Sequence, residues 1–439
     1  MGRIQKIQKL YALRTVSILR CMTISLLLVV LLSSCATYRR VRSDKEKVLL
    51  DPARTESPES LLLDVRIPVF DPGELPKSEN AARGISEVIR QAESKYMAIQ
   101  LKNAMQQSGY WGAVRVIPAE SSGDEVLVIG RILESNGEVL KLNIKAFDAK
   151  GTQWFDKDFK GAVNQEKYAE SSGAQSDIFQ NVYYRIANEL AKHYKKMTPE
   201  QIREVRRIAE MKFAQKLVPN AFEGYLQKDE KKGLYTIERL PAEDDEMLAR
   251  VRRIRERDYM LVDTLDAHYE MLNHDMKGIY TNWRKSRLME MNLIRKVDDA
   301  KNKKLAAGTL LVLAGIALGI LASNNENAGS IVGPAIGAAV GIGAAIILQA
   351  AQAGEETEIN KAALEELGVS FTAEVEPTVL KVEGQTIELT GSAEAKYEQW
   401  QAVLTKLYRI ETEPEMTPSE KPGSNNPERE ASAGSDKIN

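Results

Sequence analysis

The chain has 439 residues, enough for two or three domains at roughly 100–200 residues each. With 43% hydrophobic and 28% charged residues it is too apolar for a wholly disordered protein, and its net charge of −2 gives no reason to expect nucleic-acid binding. Two cysteines and three histidines exclude a disulfide scaffold and argue against a zinc site.

The first 34 residues have the plan of a secretory signal peptide: a basic start, a short apolar middle and small residues at the end. The basic part carries five Lys or Arg residues and no acidic residue. The apolar run from Ile24 to Leu32 is too short to span a bilayer, because a spanning helix needs about 20 residues. We therefore expect residues 1–34 to be removed from the mature protein.

The apolar run ends in Leu32-Ser33-Ser34-Cys35, which resembles the lipobox of bacterial envelope lipoproteins. In that family the chain is cut before the cysteine, and the cysteine takes the lipid. The resemblance implies that Cys35 is acylated, for example with palmitate. It also implies, because Ala36 rather than aspartate follows, a place on the periplasmic face of the outer membrane. The alternative is an ordinary signal peptide, or a short anchor, with an incidental cysteine.

Residues 35–58 are polar and contain prolines, which predicts a lipidated tether. Residues 59–196 then show strand and helix patterns, and Asn136-Gly137 signals a two-residue hairpin turn. The order of strand, helix, four strands and helix predicts an α+β sandwich domain with helices on one face of a mainly antiparallel sheet. The predicted elements are a strand at 61–70, a helix from Ile85 to near Gly109, strands at 113–117, 126–133, 140–146 and around 154–155, and a helix at 178–190.

In element order and lipoprotein context, residues 60–195 resemble the small periplasmic domains of TolB-like, curli-assembly and transport-auxiliary lipoproteins. The resemblance rests on no diagnostic motif. It implies a fold and no activity, because analogy of fold alone does not carry function.

Residues 197–304 predict a helical region. Thr198-Pro199-Glu200-Gln201 is a capping box that starts a helix to about Leu217, and a linker with Gly224 and Gly233 follows. From Glu243 to about Lys304 the apolar residues alternate three- and four-residue steps, which predicts the seam of a coiled coil or helical hairpin. A helix of this length needs a partner. The seam residues are Val262, Leu265, Tyr269, Leu272, Met276, Ile279 and Trp283.

Residues 305–353 contain two apolar runs, 305–322 and 328–348, separated by a polar turn. Each run approaches the length that crosses a hydrocarbon core, which predicts a transmembrane helical hairpin. Small residues at four-residue spacing lie on one helix face and let two backbones approach closely. The segment resembles the glycine zippers of envelope lipoproteins, and the alternative is a hairpin buried within a protein assembly. The predicted helix-packing residues are Gly315, Gly319, Gly329, Gly333, Gly337 and Gly341.

Residues 354–410 predict a small α+β module, which is too short to be very stable alone. Its predicted elements are a helix at 355–367, strands at 369–375, 378–382 and 385–389, and a helix after Ser392. Residues 411–439 carry several prolines and few apolar residues, which predicts a disordered tail.

The sequence contains no nucleophile elbow, phosphate loop or zinc-protease motif, so we name no catalytic residue, metal ligand or cofactor. Five arginines between Arg250 and Arg257 stand among acidic residues, which favours a salt-bridged helix surface over a site for anionic lipid phosphates. We expect a membrane-anchored envelope lipoprotein with a structural or self-assembly role and no catalysis. The alternative is a periplasmic adaptor subunit of an export or transport machine. The expected partners are membrane lipid, through Cys35 and residues 305–353, and copies of the chain or other envelope proteins.

Overall fold

The computed structural model describes residues 47–77, 85–120, 123–170, 176–242, 244–306, 352–369, 378–382 and 385–412. The predicted signal peptide, Cys35, the six predicted helix-packing glycines and the predicted tail beyond 412 lie outside these residues. The elements are β1 (Val65–Pro68), α1 (Glu87–Ser108), β2 (Val114–Ile117), β3 (Val126–Ser135), β4 (Val139–Asp148), β5 (Gln153–Ala162), α2 (Gln165–Glu170), α3 (Gln180–Tyr194), α4 (Pro199–Leu217), α5 (Pro219–Phe222), β6 (Leu226–Asp229), β7 (Leu234–Ile237), α6 (Glu246–Ala306), α7 (352–369), β8 (Thr378–Val382), β9 (Gln385–Leu389) and α8 (Ala393–Thr412).

The molecule is α+β, as predicted, but its main sheet is mixed rather than mainly antiparallel. The strand order is β2-β1-β3-β4-β5, with β1 parallel to both of its neighbours and β3, β4 and β5 antiparallel. The reason is that α1 forms a crossover between β1 and β2, and a strand reached through a crossover helix pairs in parallel. All four residues of β1 are buried, as expected for a central strand covered on both faces.

Local sequence signals set the ends of α1 and the start of α4. The Ser86 hydroxyl accepts a hydrogen bond from the Ile89 N–H at the start of α1, and Gly109 ends the helix at a φ of 72°. The predicted capping box is confirmed at the start of α4, where Thr198 and Gln201 bind each other's backbone N–H groups. Helices α1 and α3 contact each other and the strands of the sheet.

The long helix α6 has 61 residues and is therefore about 90 Å long. Six of the seven predicted seam residues are buried, so the interpretation as a packing seam is confirmed. The helix opposite the seam is α1. Asp266, Asn273 and Tyr280 stand seven residues apart on α6 and bind Lys102, Gln100 and Glu93 on α1, so the two helices are antiparallel. The partner that α6 needs is a helix of the sheet domain rather than a second helix of equal length.

Helix α6 also runs along the free edge of β2 and binds side chains of β1 and β2. Arg66 of β1 binds Asp258 at 2.9 Å, and Arg115 of β2 binds Asp263 at 2.5 Å. The backbone N–H of Val116, on the edge strand, donates to Asp266 at 2.8 Å. A carboxylate on the long helix thus satisfies a group that the sheet edge would otherwise leave unpaired.

The remaining predictions are partly corrected. Residues 226–237, which were predicted as a linker, form the hairpin of β6 and β7. The Tyr235 N–H donates to the backbone carbonyl of Lys150 at 2.8 Å. The predicted strands β8 and β9 are present, and they pair antiparallel. The strand predicted at 369–375 is not seen at its first residue, because Val369 is the last residue of α7. The rest of that predicted strand lies outside the described residues. A single buried cluster runs from Leu63 to Tyr408, so the sheet domain, α6 and α8 share one hydrophobic core.

Candidate functional site at the end of the long helix

The structure describes residues that flank the predicted lipidation and membrane segments. Residues 48–53, part of the predicted tether, lie along α3. The Val48 N–H donates to the Asn181 side chain at 3.1 Å, and the Asp51 N–H donates to the Asn188 side chain at 2.9 Å. Because the residue numbers rise in the same direction along both segments, residues 48–53 run parallel to α3, and Val48 lies at the N-terminal end of α3.

The same end of α3 is joined to α6 by a buried ion pair. Asp177 precedes α3, and its carboxylate accepts hydrogen bonds from Arg284 of α6 at 2.8 and 3.3 Å and from the Tyr96 hydroxyl at 2.8 Å. The Asp177 side chain is 0% exposed and the Arg284 side chain 2% exposed. Burial alone would raise the pKa of Asp177, but the facing guanidinium of Arg284 holds that pKa below its usual value.

A second buried polar cluster lies beside this pair. Glu93 of α1 accepts from the Tyr280 hydroxyl and from the Ser135 hydroxyl, both at 2.6 Å, and from Arg90 at 2.9 Å. The Arg284 guanidinium lies 4.1 Å from the centre of the Tyr280 ring. Three elements, α1, β3 and α6, are therefore fixed against one another by charge-assisted hydrogen bonds.

Farther along α6, Arg295 binds the two carboxylate oxygens of Glu138, which follows the β3–β4 hairpin turn. A Cβ at Gly137, in that turn, would lie 2.5 Å from the backbone oxygen of Arg284, so the turn packs directly on the helix. After Arg295 the helix continues for eleven residues, about 16 Å, and ends at Ala306, where the predicted apolar segment begins.

Helix α7 follows the apolar segment and returns along α6. The Asn360 side chain donates to the Ser286 hydroxyl at 3.3 Å, and Gly354 lies beside Glu290. Along these contacts the residue numbers rise in α7 and fall in α6, so the two helices are antiparallel. Helix α7 therefore begins close to the level of Glu290, whereas α6 continues for a further 16 residues, about 24 Å, to Ala306.

The opposite half of α6 borders a cleft of about 570 Å³. The Tyr259 ring lies at its wall, with the guanidinium groups of Arg66, Arg115 and Arg255 at 5.5, 4.8 and 5.5 Å from the ring centre. Burial raises the pKa of Glu125, which also lines the cleft, while the N–H of Asp64 donates to it and opposes the shift. Charges of both signs line this cleft.

The salt-bridged interpretation of the arginine cluster is confirmed for Arg252, which binds Glu210 of α4 at 2.6 Å. Arg255 instead donates to the Gly123 carbonyl at 2.8 Å. Within the described ranges no group of three or more His, Cys, Asp or Glu side chains is placed to hold a metal ion. None of the helices in the described part of the chain combines the length and the hydropathy that a bilayer crossing requires.

Sequence reasoning did not find the residues that join the two ends of the predicted membrane segments to the body. Asp177 and Arg284 are 107 residues apart, and Glu138 and Arg295 are 157 apart, so no local pattern links either pair. The sequence matches no protein-family model and no curated protein.

Proposed function

We propose that this protein is a membrane-anchored lipoprotein of the bacterial envelope with a structural, scaffolding role and no catalysis. The observation that carries the proposal is that α6 leads into the apolar segment and α7, which follows the segment, returns antiparallel along α6. A hairpin that enters and leaves a bilayer on the same side requires flanks that run in opposite directions. The glycine row within the segment then supplies the close helix contact that lipid does not drive.

The ion pairs of α6 support a scaffolding role because they couple the predicted membrane segment to the folded body. Arg66 and Lys102 bind carboxylates of α6, and Arg284 of α6 binds Asp177. The partners in each pair are at least 107 residues apart in the chain. Because α6 is held at Asp258, Asp266 and Arg284, its first two-thirds move with the body as one unit. Such a helix transmits position and force, and the described residues offer no catalytic constellation to which we assign chemistry.

The anchor is tested by replacing Cys35 with alanine and following metabolic labelling with palmitate. Labelling is expected to disappear, because acylation needs the thiol, while Cys21→Ala, in the part of the chain that is removed, is expected to be labelled as the natural protein is. Labelled Cys35→Ala protein would contradict the lipobox. The unlipidated variant is expected to stay in the membrane fraction, held by the hairpin. Its release into the soluble fraction would contradict insertion of residues 305–353.

A second candidate function is an adaptor within an export or transport machine, and the charged cleft beside Tyr259 favours it. The cleft lies on the half of α6 away from α7, where a partner protein could bind without contacting the membrane. Charged side chains of both signs line the cleft and suit a polar protein surface rather than lipid tails.

Crosslinking after detergent extraction separates the two candidates. A homo-oligomer that is lost in Gly333→Leu is expected for zipper assembly, because a leucine side chain blocks close backbone contact. The control is Gly278→Leu, since Gly278 lies on α6 with open space around it, and this variant is expected to crosslink normally. A complex with other envelope proteins that persists in Gly333→Leu would contradict zipper assembly and favour the adaptor.

A further inference from the structure

We propose that one face of α3 is a binding site for an extended polypeptide segment, and that residues 48–52 of the same chain occupy this site as an exchangeable ligand. The second ligand that the site takes has the same chemistry. It is an extended segment of another polypeptide that carries a carboxylate at the position of Asp51. The proposed site is independent of the lipid anchor and of the apolar hairpin.

The first observation is the spacing of three polar side chains on α3 and at its C-terminal end. Asn181, Asn188 and Lys195 stand seven residues apart, which places them on one face of the helix. Neighbouring members are about 10 Å apart along the helix axis, and an extended chain covers about 10 Å in three residues. Val48 and Asp51, which are three residues apart, bind the first two members. The helix thus matches the repeat of an extended segment laid along it.

The second observation is that the two asparagines bind the backbone of the segment rather than its side chains. The Asn188 amide accepts from the Asp51 N–H and donates to the Leu49 carbonyl, each at 2.9 Å. The Asn181 side chain accepts from the Val48 N–H at 3.1 Å. An amide side chain offers a donor and an acceptor, as a neighbouring β-strand does. Main-chain hydrogen bonds of this kind supply affinity without depending on the residue sequence of the ligand.

Two side-chain contacts give the site its selectivity. The Lys195 ammonium binds the Asp51 carboxylate, and the Leu50 side chain packs against the hydrophobic core. The side chain of Leu49, by contrast, is 73% exposed. The ligand is therefore an extended segment in which an apolar residue directly precedes an acidic one.

The resident segment is held by contacts that break without unfolding of the body. The Lys195 and Asp51 side chains remain 44% and 42% exposed in their ion pair, and exposed pairs and hydrogen bonds contribute little net free energy. None of the residues 47–53 is fully buried. Residues 54–56, which follow the segment, are exposed. The segment can therefore leave α3 by local opening.

The probe that tests the site is a synthetic peptide with the sequence of residues 47–53 and a fluorophore at its N-terminus. Fluorescence anisotropy measures its binding to the full chain in detergent. The Asp51→Pro chain is expected to bind the probe about 10-fold more tightly than the natural chain, because the resident segment then competes less for α3. The substitution removes the N–H that Asn188 binds and the carboxylate that Lys195 binds. The same Asp51→Pro change in the peptide is expected to weaken its binding.

The role of the asparagine is tested in the Asp51→Pro chain. Adding Asn188→Ala is expected to weaken probe binding about 10-fold, because two hydrogen bonds to the peptide backbone are lost. The matched control is Asn282→Ala, at an exposed asparagine of α6, which is expected to leave binding unchanged. Probe binding that is no tighter to Asp51→Pro than to the natural chain, or that is insensitive to Asn188→Ala, would overturn the proposal.

Hydrogen exchange in the natural chain tests the exchange of ligands without any substitution. Saturating unlabelled peptide is expected to speed the exchange of the backbone amides of residues 47–53 of the chain, because the peptide replaces them on α3. Exchange of β4 is expected to stay the same. Unchanged exchange in residues 47–53 would mean that the peptide binds elsewhere, and would also overturn the proposal.

Discussion

Replacing Arg284 with methionine is expected to lower the free energy of unfolding by about 3–5 kcal/mol, because the substitution leaves the Asp177 carboxylate buried without its countercharge. Methionine keeps much of the volume of the arginine stem, so lost packing contributes less than lost charge. Unfolding by denaturant in detergent micelles, followed by the fluorescence of the fully buried Trp283 next to it, measures the loss.

The pH dependence separates a charge effect from a packing effect. In the natural protein the pKa of Asp177 lies below its unfolded value of about 3.9, so the stabilisation is present above about pH 4 and is lost as the pH falls through the folded pKa. In Arg284→Met, burial without Arg284 should raise that pKa above the unfolded value. The variant then loses stability as the pH rises from the unfolded pKa of Asp177 to its raised pKa in the folded variant. The difference between the proteins is therefore expected to be largest near neutral pH and to shrink on acidification.

Two controls accompany this variant. Arg203→Met breaks an exposed pair with Glu200 on α4 and is expected to cost less than about 1 kcal/mol. The double variant Arg284→Met with Asp177→Asn removes both charges and is expected to recover much of the stability, because the uncompensated carboxylate is gone. A single variant as stable as Arg203→Met would show that the buried pair does not hold α6 to α3.

The features of the fold that could be predicted from the sequence are those that depend on neighbouring residues. The ends of α1 follow from Ser86 and Gly109, the start of α4 from Thr198, and the β3–β4 turn from Asn136-Gly137. The alternation of polar and apolar residues in 140–146 gave the half-exposed face of β4. In each case the physical cause is a cap, a turn or a two-residue period that acts within a few positions.

The features that could not be predicted depend on contacts distant in sequence. The insertion of β1 between β2 and β3 depends on which strands meet, and four-residue strands carry little information about that. Residues 48–53 belong to the stretch predicted as a tether, yet the side chains of Asn181 and Asn188 bind their backbone. Local motifs predict Cys35 and the six glycines, which lie outside the described residues, whereas Asp177, Arg284, Glu138 and Arg295 required the fold.

Gly137→Ala is expected to destabilise the protein by about 2–5 kcal/mol, more than a comparable change at another glycine of the same backbone conformation. Gly137 has a φ of 85°, which costs a residue with a Cβ about 1–2 kcal/mol. Its Cβ would also lie 2.5 Å from the Arg284 carbonyl oxygen, and the resulting displacement of α6 adds about 1–3 kcal/mol. Denaturant unfolding followed by Trp283 fluorescence measures the sum.

The matched control is Gly224→Ala, because Gly224 has a φ of 75° and no atom within 4 Å of an added Cβ. This variant pays the backbone cost alone, about 1–2 kcal/mol. The difference between the two variants therefore isolates the contact between the hairpin turn and α6. Equal losses of unfolding free energy in the two variants would mean that α6 shifts away from the added Cβ of residue 137 without further destabilisation. The turn would then not fix the helix that presents Arg295 to Glu138 and continues toward the apolar segment.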